Sequence, residues 1–284
     1  MSKITVTCDC TSDLSEEQML ENNLGVVYCH IITDSGRFCD PIEISARNVL
    51  AYMDAGGIPV TESPIEEDFI TLFKDRLKEY DEVIHISLSK DISDSYDHAM
   101  LAAKHLGMEN RIHVVDSKTL SSATGLIALK AVELVKEGKS SKEVVDYLNE
   151  FRNHVSCSFV MRNLRYLYKN NRVSAKAMKM CQKLSLHPVL EMRDGKFNLR
   201  SIMFGNYEKA QIKYLNREMK NAEKIDKKAI FITHAGCTVK ELEKAHDIVA
   251  SSGNFENIFI TEASATVSCN CGPNTVGVLY VYHD

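Results

Sequence analysis

The stretch KITVTCDCTSD, residues 3–13, shows a strand followed by a polar loop, a pattern that recurs along the chain and indicates its fold. Its first seven residues are mostly apolar or β-branched, which is typical of a buried strand. The polar loop from Cys10 to Asp13 follows at once, and a helical stretch begins after Ser15, its predicted N-cap. A strand that ends in a polar loop before a helix is the repeating unit of parallel α/β sheets.

The same alternation continues along the chain. EVIHISL (82–88) and RIHVVDS (111–117) predict further buried strands, and GVVYCHIIT (25–33) predicts one more. The second half differs, because Arg193-Asp194-Gly195 predicts the turn of an antiparallel hairpin. We therefore predict an α/β protein of two domains. Residues 1–154 would form a mostly parallel sheet with helices on both faces, and residues 155–284 a mixed α/β sheet with an antiparallel hairpin.

Composition narrows the class of protein. The 284 residues are 44% hydrophobic and 26% charged with a net charge of −5, so we expect a globular chain with a sizeable core. No long basic run supports nucleic-acid binding. No apolar segment is long enough for a signal peptide or a membrane span, and we expect a cytoplasmic protein.

Nine cysteines raise the alternative of a metal or redox site. Two Cys-x-Cys stretches stand at opposite ends of the chain, Cys8-Asp9-Cys10 and Cys269-Asn270-Cys271. The spacing patterns typical of zinc sites are absent, and an odd count without an export signal favours reduced, mostly buried thiols. We predict no metal, and a metal or redox protein stays as one hypothesis.

Hydroxyl side chains are concentrated after the predicted strands, where ligands bind in parallel α/β sheets. Ser and Thr are neutral donors, and helix N-termini add free backbone N–H groups, so this edge suits a carboxylate or a phosphate. No lysine-bearing phosphate loop and no carboxylate cluster accompanies them, and His234 is the only histidine at such an edge. A non-catalytic binding protein is therefore predicted, with a small-molecule or phospho-ligand enzyme or binder as the alternative.

The ordered motifs of the chain resemble those of the DegV family. Asp9 to Leu14 corresponds to the family's D-S-T-A-D-L, and Thr61 to Pro64 to its T-S-Q-P. Its serine loop, S-x-x-L-S-G-T-Y-x-x-A, corresponds to residues 89–99. Residues 164–174, Pro188 to Lys196 and residues 270–277 match three further motifs. The series runs the whole length of the chain.

This resemblance implies a bacterial fatty-acid-binding protein, the lipid-presenting subunit of a fatty-acid kinase that makes acyl phosphate for phospholipid synthesis. It implies a long-chain fatty acid in an apolar tunnel as the ligand, with no other cofactor. Thr61 and Ser93 are the positions that would hold the carboxylate. The predicted rim around them consists of Cys10, Thr11, Ser63, Ser95 and Asn270. Candidate wall or core residues are Met178, Met180, Leu184 and Leu186.

Several positions depart from the family pattern. Phe204-Gly205-Asn206 stands where relatives carry an R-G-R-like stretch that helps to dock or activate the kinase. Asn270 replaces a histidine, and Asn170 and Asn171 replace two glycines. Asp94 replaces the glycine of the serine loop and brings a negative charge to the carboxylate end. These changes bear on kinase presentation more than on lipid binding.

Overall fold

Two α/β domains make up the protein, whose computed structural model describes residues 2–169 and 173–283. The strands are β1 (Ile4–Asp9), β2 (Gly25–Val27), β3 (His30–Thr33), β4 (Gly36–Cys39), β5 (Val60–Glu62), β6 (Glu82–Ser87), β7 (Ile112–Asp116), β8 (Val155–Val160), β9 (Leu186–Arg193), β10 (Lys196–Phe204), β11 (Ile225–Ala235), β12 (Ile258–Glu262) and β13 (Thr275–Tyr282). The helices are α1 (Glu16–Glu21), α2 (Ala46–Asp54), α3 (Glu66–Arg76), α4 (Ser95–His105), α5 (Ser122–Lys136), α6 (Ser141–Phe151), α7 (Arg165–Lys169), α8 (Ala175–Lys183), α9 (Tyr207–Glu218), α10 (Val239–Ser252) and α11 (Ala265–Cys271).

The first domain is built on a four-stranded parallel sheet in the order β2-β1-β6-β7. Helices cover both of its faces, as predicted. On one face, Phe69 and Phe73 of α3 pack with Ala99 and Ala102 of α4. On the other face, α5 and α6 pack against the strands. The strands are buried on both sides for this reason, and their sequences are correspondingly apolar.

The second domain is built on a six-stranded mixed sheet in the order β10-β9-β8-β13-β11-β12. The predicted hairpin is β9–β10, with Asp194 and Gly195 at its tip in left-handed conformations. The predicted division after residue 154 falls just before β8, where the short 3₁₀ helix Arg152–His154 ends. The boundary itself stays a prediction.

Helix α5 lies between the two sheets and contacts strands of both. Its Gly125 makes this approach feasible, because a Cβ atom there would lie 2.7 Å from the Ser12 carbonyl oxygen. One continuous core therefore joins the domains, with Ile86 of the first and Phe231 of the second among its buried members. Within the described residues, no helix combines the length and apolar character needed to cross a bilayer.

Two local predictions were wrong. Residues 25–33 do not form one strand, since β2 belongs to the parallel sheet and β3 to a separate sheet of β4-β3-β5. The chain breaks at Cys29, whose amide donates to Cys10 Sγ and whose carbonyl accepts from the Asp40 amide. The sequence also predicts Ser93 as the N-cap of the helix through His98, but Asp94 occupies that position in α4. Instead, Ser93 Oγ accepts a hydrogen bond from the Ser95 amide.

Candidate functional site

A cavity of about 460 Å³ opens at the carboxyl ends of β1, β6 and β7. Both domains contribute to its wall. The first supplies the turn after β1, the end of β5 and the serine loop before α4, and the second supplies α11 and the β9–β10 hairpin. Its lining residues include Thr11, Cys29, Thr61, Glu62, Ser63, Leu88, Lys90, Asp91, Ser93, Asp94, Leu120, Phe159, Leu167, Phe197, Val267, Asn270 and Cys271.

The two residues predicted to hold a carboxylate, Thr61 and Ser93, both line this cavity. Ser63 lies with them, and its hydroxyl is 2.8 Å from that of Ser93. The Ser95 amide donates to Ser93 Oγ over 3.2 Å. Ser63 and Ser93, which are 30 residues apart in sequence, are therefore brought together at one end of the cavity, and Thr61 lies two residues before Ser63.

Of the predicted rim residues, Thr11, Ser63 and Asn270 line the cavity, and Cys10 and Ser95 lie behind its wall. The Cys10 thiol accepts from the Cys29 amide at 3.2 Å, and Cys29 lines the cavity instead of Cys10. The adjacent Cys29 thiol and burial raise the pKa of the Cys10 thiol well above its usual range. The Ser95 hydroxyl donates to Asp9 Oδ1 at 2.6 Å.

Asp9, a residue that sequence reasoning missed, holds the serine loop. Its fully buried carboxylate accepts from the Leu88 amide at 2.7 Å and from the Ser95 hydroxyl. His85 Nε2 lies 3.6 Å from it. A carboxylate that accepts backbone N–H bonds makes strong, charge-assisted contacts, so Asp9 fixes the position of the loop that carries Ser93. An aspartate at the end of an apolar strand was the available signal.

Two more buried aspartates hold α11, a helix between β12 and β13 that the sequence analysis did not predict. Asp13 accepts from the Ser264 amide at 2.8 Å and from the Ser121 hydroxyl at 2.5 Å. Asp40 accepts from the amides of Ala265 and Thr266 at 3.1 and 2.7 Å. Burial raises the pKa of the Asp13 carboxyl to about 7, and burial also raises that of Asp40.

The tip of the β9–β10 hairpin closes the cavity against the serine loop. The Ser89 hydroxyl donates to the Gly195 carbonyl at 2.8 Å, a contact between the two domains. Gly195 has φ +82°, and a Cβ atom there would lie 2.5 Å from Asp91 Oδ2. Behind the tip, Phe197 meets Phe159 edge to face with 6.3 Å between ring centroids. Only glycine allows this close approach of hairpin and loop.

A smaller inner cavity of about 40 Å³ adjoins the main one, and both are lined by Leu120, Phe159, Val267 and Cys271. Its other apolar lining comes from Cys157, Ala235, Ala263 and Leu279. His234 also reaches it, and burial lowers the pKa of the His234 imidazole. The two cavities together run from a hydroxyl-rich end to an apolar interior between the domains.

Charged side chains surround the mouth. Glu62 pairs with Arg37, whose Nε lies 2.6 Å from its carboxylate. Asp91 and Asp94 are exposed at the mouth, and Lys90 Nζ lies 5.7 Å from the centroid of the Tyr96 ring. The three carboxylates outnumber the one lining lysine, so the mouth is acidic.

The cysteines do not form a metal centre in the described parts of the chain, where no three His, Cys, Asp or Glu side chains are grouped to hold an ion. Cys8, Cys10, Cys269 and Cys271 are all buried. Burial raises the pKa of both Cys8 and Cys271 to about 12, so neither thiol forms the thiolate readily at neutral pH. The two Cys-x-Cys stretches instead flank the same cavity.

The four candidate wall or core residues, Phe204 and Asn206 lie outside the lining of the cavity. Met178, Met180, Leu184 and Leu186 do not line it, and Leu186 is buried in the core. Phe204 is exposed, and Asn206 caps α9 by accepting from the Glu208 amide. The motif positions Asn170, Asn171 and Arg172 fall outside the described residues.

Comparison with known proteins addresses the whole chain. A family model described as "Uncharacterised protein, DegV family" matches residues 3–283. A DegV domain-containing protein of Staphylococcus aureus is 26% identical over 98% of this chain and 99% of its own length.

Solved structures agree with this match. A fatty-acid-binding DegV family protein of Thermus thermophilus superposes with a TM-score of 0.89 at 25% identity, over 99% of this chain and 100% of that one. A stearic-acid-binding protein of Eubacterium ventriosum shares the fold, with a TM-score of 0.86 at 22% identity over 99% and 98%. By its sequence from end to end and by its two-domain fold, this chain belongs to the DegV family.

Proposed function

We propose that the protein binds a long-chain fatty acid, with the carboxylate at the hydroxyl-lined end of the cavity and the acyl chain directed inward. The observation that carries this proposal is the polarity of the cavity. Thr61, Ser63 and Ser93 line one end, and apolar side chains such as Leu120 and Phe159 continue into the inner cavity. The Thermus thermophilus relative, named for fatty-acid binding, supports the same class of ligand.

The hydrogen bonds around Ser93 suit a carboxylate. A serine hydroxyl has two acceptor lone pairs and one proton. The Ser95 amide uses one lone pair, and the Ser63 hydroxyl, 2.8 Å away, can use the other. The Ser93 proton is then directed to the ligand, and Thr61 would supply a second donor. Neutral donors hold the head group, and each buried CH₂ of the chain adds about 0.8 kcal/mol.

The charges at the mouth favour a carboxylate over a phosphate ester. Asp91 and Asp94 repel an anion, and a phosphate ester with nearly two negative charges suffers more than a carboxylate with one. This argues against the phospho-ligand alternative. Binding without catalysis is the proposed role, because among the described residues the hydroxyls of Ser63 and Ser93 pair with each other and with the Ser95 amide, and neither is hydrogen-bonded to a His, Asp or Glu side chain that could act as a general base.

Presentation of the bound acid to a fatty-acid kinase is the second part of the proposal. Its support is family membership and the exposure of Asp91 and Asp94, which stand on either side of Ser93 in the serine loop. Phe204 and Asn206 stand where kinase contacts are expected, so this partner would have to accept an apolar surface. Acyl-phosphate formation with purified kinase subunits of DegV-containing bacteria measures this directly.

Native mass spectrometry of the freshly purified protein tests the binding proposal. We expect a co-purified acyl chain, lost in a Thr61→Val, Ser93→Ala double variant that removes both donors. Thr71→Val with Ser251→Ala is the matched control, since both residues are exposed and away from the cavity. Wild-type protein that carries no lipid and takes up none on addition would refute fatty-acid binding.

A further inference from the structure

Thr11 carries a buried hydroxyl for which the fold supplies no partner. The residue follows β1 in the 3₁₀ turn Cys10–Ser12 and is 1% exposed. Its Oγ1 has no hydrogen-bond partner among the described residues, and its side chain lines the main cavity. A buried polar atom without a partner costs free energy, so such a group in a cavity wall indicates that a ligand completes it.

Thr11 lies at the polar end of the cavity. The Cys10 thiol, one residue before it, accepts from the Cys29 amide. Cys29 directly precedes β3, and Ser63 directly follows β5, at the end where His30 pairs with Glu62. Cys29, Ser63 and Thr11 all line the cavity, and Ser63 contacts Ser93. The unpaired hydroxyl is thus on the same side as the proposed head-group donors.

We propose that Thr11 donates a third hydrogen bond to the carboxylate of the ligand and makes the site selective for a free acid over its ester. This inference rests on the proposed function. A carboxylate has two oxygens with about four acceptor positions, so it can accept from Thr61, Ser93 and Thr11 together. An ester carries no charge and its second oxygen is a poor acceptor, so it cannot use all three donors equally well.

Thr11→Val tests the inference because valine keeps the shape of threonine and removes the hydroxyl. Without ligand, the variant should unfold at a higher temperature than wild type, since it no longer buries an unpaired hydroxyl. Its affinity for palmitate should fall about 10- to 150-fold, the loss of one hydrogen bond to a charged group. Its affinity for methyl palmitate should change much less. Thr11→Ser, which keeps a hydroxyl, should bind palmitate like wild type.

Thr5→Val is the matched control. Thr5 lies in β1, the strand that leads into the turn of Thr11, and it is 3% exposed. Its Oγ1 also has no partner among the described residues, but it does not line the cavity. This variant should share the rise in melting temperature and keep the palmitate affinity of wild type.

The outcomes separate the two proposals. If wild type binds palmitate and Thr11→Val binds it equally well, the role of Thr11 is refuted and the fatty-acid proposal stands. An equal loss of affinity in Thr5→Val would also refute it, because the effect would then come from the strand. If wild type binds no fatty acid, both proposals fail.

Discussion

Buried aspartates hold both polar walls of the cavity, but the groups around those aspartates differ. On the serine-loop side, Asp9 accepts from the Leu88 amide and the Ser95 hydroxyl, with the His85 imidazole 3.6 Å away. On the α11 side, Asp13 and Asp40 accept from three successive amides, and burial raises the pKa of both carboxyls.

The difference shows how one strand can position two walls with unequal sensitivity to pH. Asp9 ends β1, and Asp13 lies in the loop that follows it. Each accepts a backbone N–H bond in place of water and so fixes one wall without a local turn motif. The α11 wall depends on Asp13, whose pKa of about 7 lies in the physiological range. Its ionisation therefore changes near neutral pH, so α11 is the wall expected to respond to pH.

The largest effect should come from breaking the serine-loop wall. Asp9→Ala leaves the Leu88 amide and the Ser95 hydroxyl buried without their acceptor. We expect a loss of about 3–5 kcal/mol in the free energy of unfolding, measured by urea denaturation. The exposed Asp34→Ala should lose less than about 0.5 kcal/mol. A small loss in Asp9→Ala would show that water or another acceptor can replace the carboxylate.

The contact of the hairpin with the serine loop gives the next effect. Gly195→Ala meets both an unfavourable φ and the Asp91 and Ser89 side chains, whereas Gly56→Ala meets only the unfavourable φ of +98° in open space. We expect Gly56→Ala to cost about 1 kcal/mol and Gly195→Ala about 1–2 kcal/mol more, by urea denaturation. Equal costs would mean that the hairpin tip moves aside freely.

The contribution of the α11 wall to stability should depend on pH. Because the Asp13 pKa of about 7 lies above the ordinary value of 3.8, folding favours the protonated carboxyl. Its contribution to stability is fully present below the ordinary pKa and is lost as pH rises through about 7. Asp13→Asn cannot ionise, so its stability relative to wild type should increase between about pH 5 and pH 8.

The expected size of that change is of the order of 2 kcal/mol, measured by thermal or urea unfolding across the pH range. Asp34→Asn, at an exposed position, serves as the control. A difference between Asp13→Asn and wild type that stays constant with pH would contradict the ionisation of Asp13 in this range.

The smallest effect is expected at the mouth. Asp94→Asn removes an exposed negative charge from the cavity lining, and it should strengthen palmitate binding about twofold to threefold at low salt. Asp97 lies in the first turn of α4 and outside the cavity lining, so Asp97→Asn should change affinity less. Salt titration of the dissociation constant measures both, and the gain should shrink as ionic strength rises.

Local signals in the sequence predicted much of the fold and part of the site. The apolar runs marked β1, β6 and β7, and Ser15 caps α1 as predicted, through a hydrogen bond from the Gln18 amide. Thr61 and Ser93 were singled out by short motifs that resemble those of the DegV family and not by the strand pattern, since Thr61 lies in β5 of a separate sheet. These inferences depend on spacing within a few residues.

The remainder depends on contacts between distant residues. The bond from the Ser264 amide to Asp13 spans 251 positions, and that from Ser89 to Gly195 spans 106. Nothing near Cys29 marks the break between β2 and β3, which follows from its bonds to Cys10 and Asp40. A single sequence does not show such pairs, so α11 and the exclusion of Cys10 from the wall were missed.

The anchoring of α11 from behind has a consequence for how the family can diversify. Asp40 accepts hydrogen bonds from the backbone amides of Ala265 and Thr266 in the first turn of the helix. Side chains further along the same helix, such as Asn270, can then be exchanged while the scaffold stays in place. A library of substitutions at position 270 should therefore yield folded proteins that differ in ligand preference, which makes this helix a starting point for redesigning specificity.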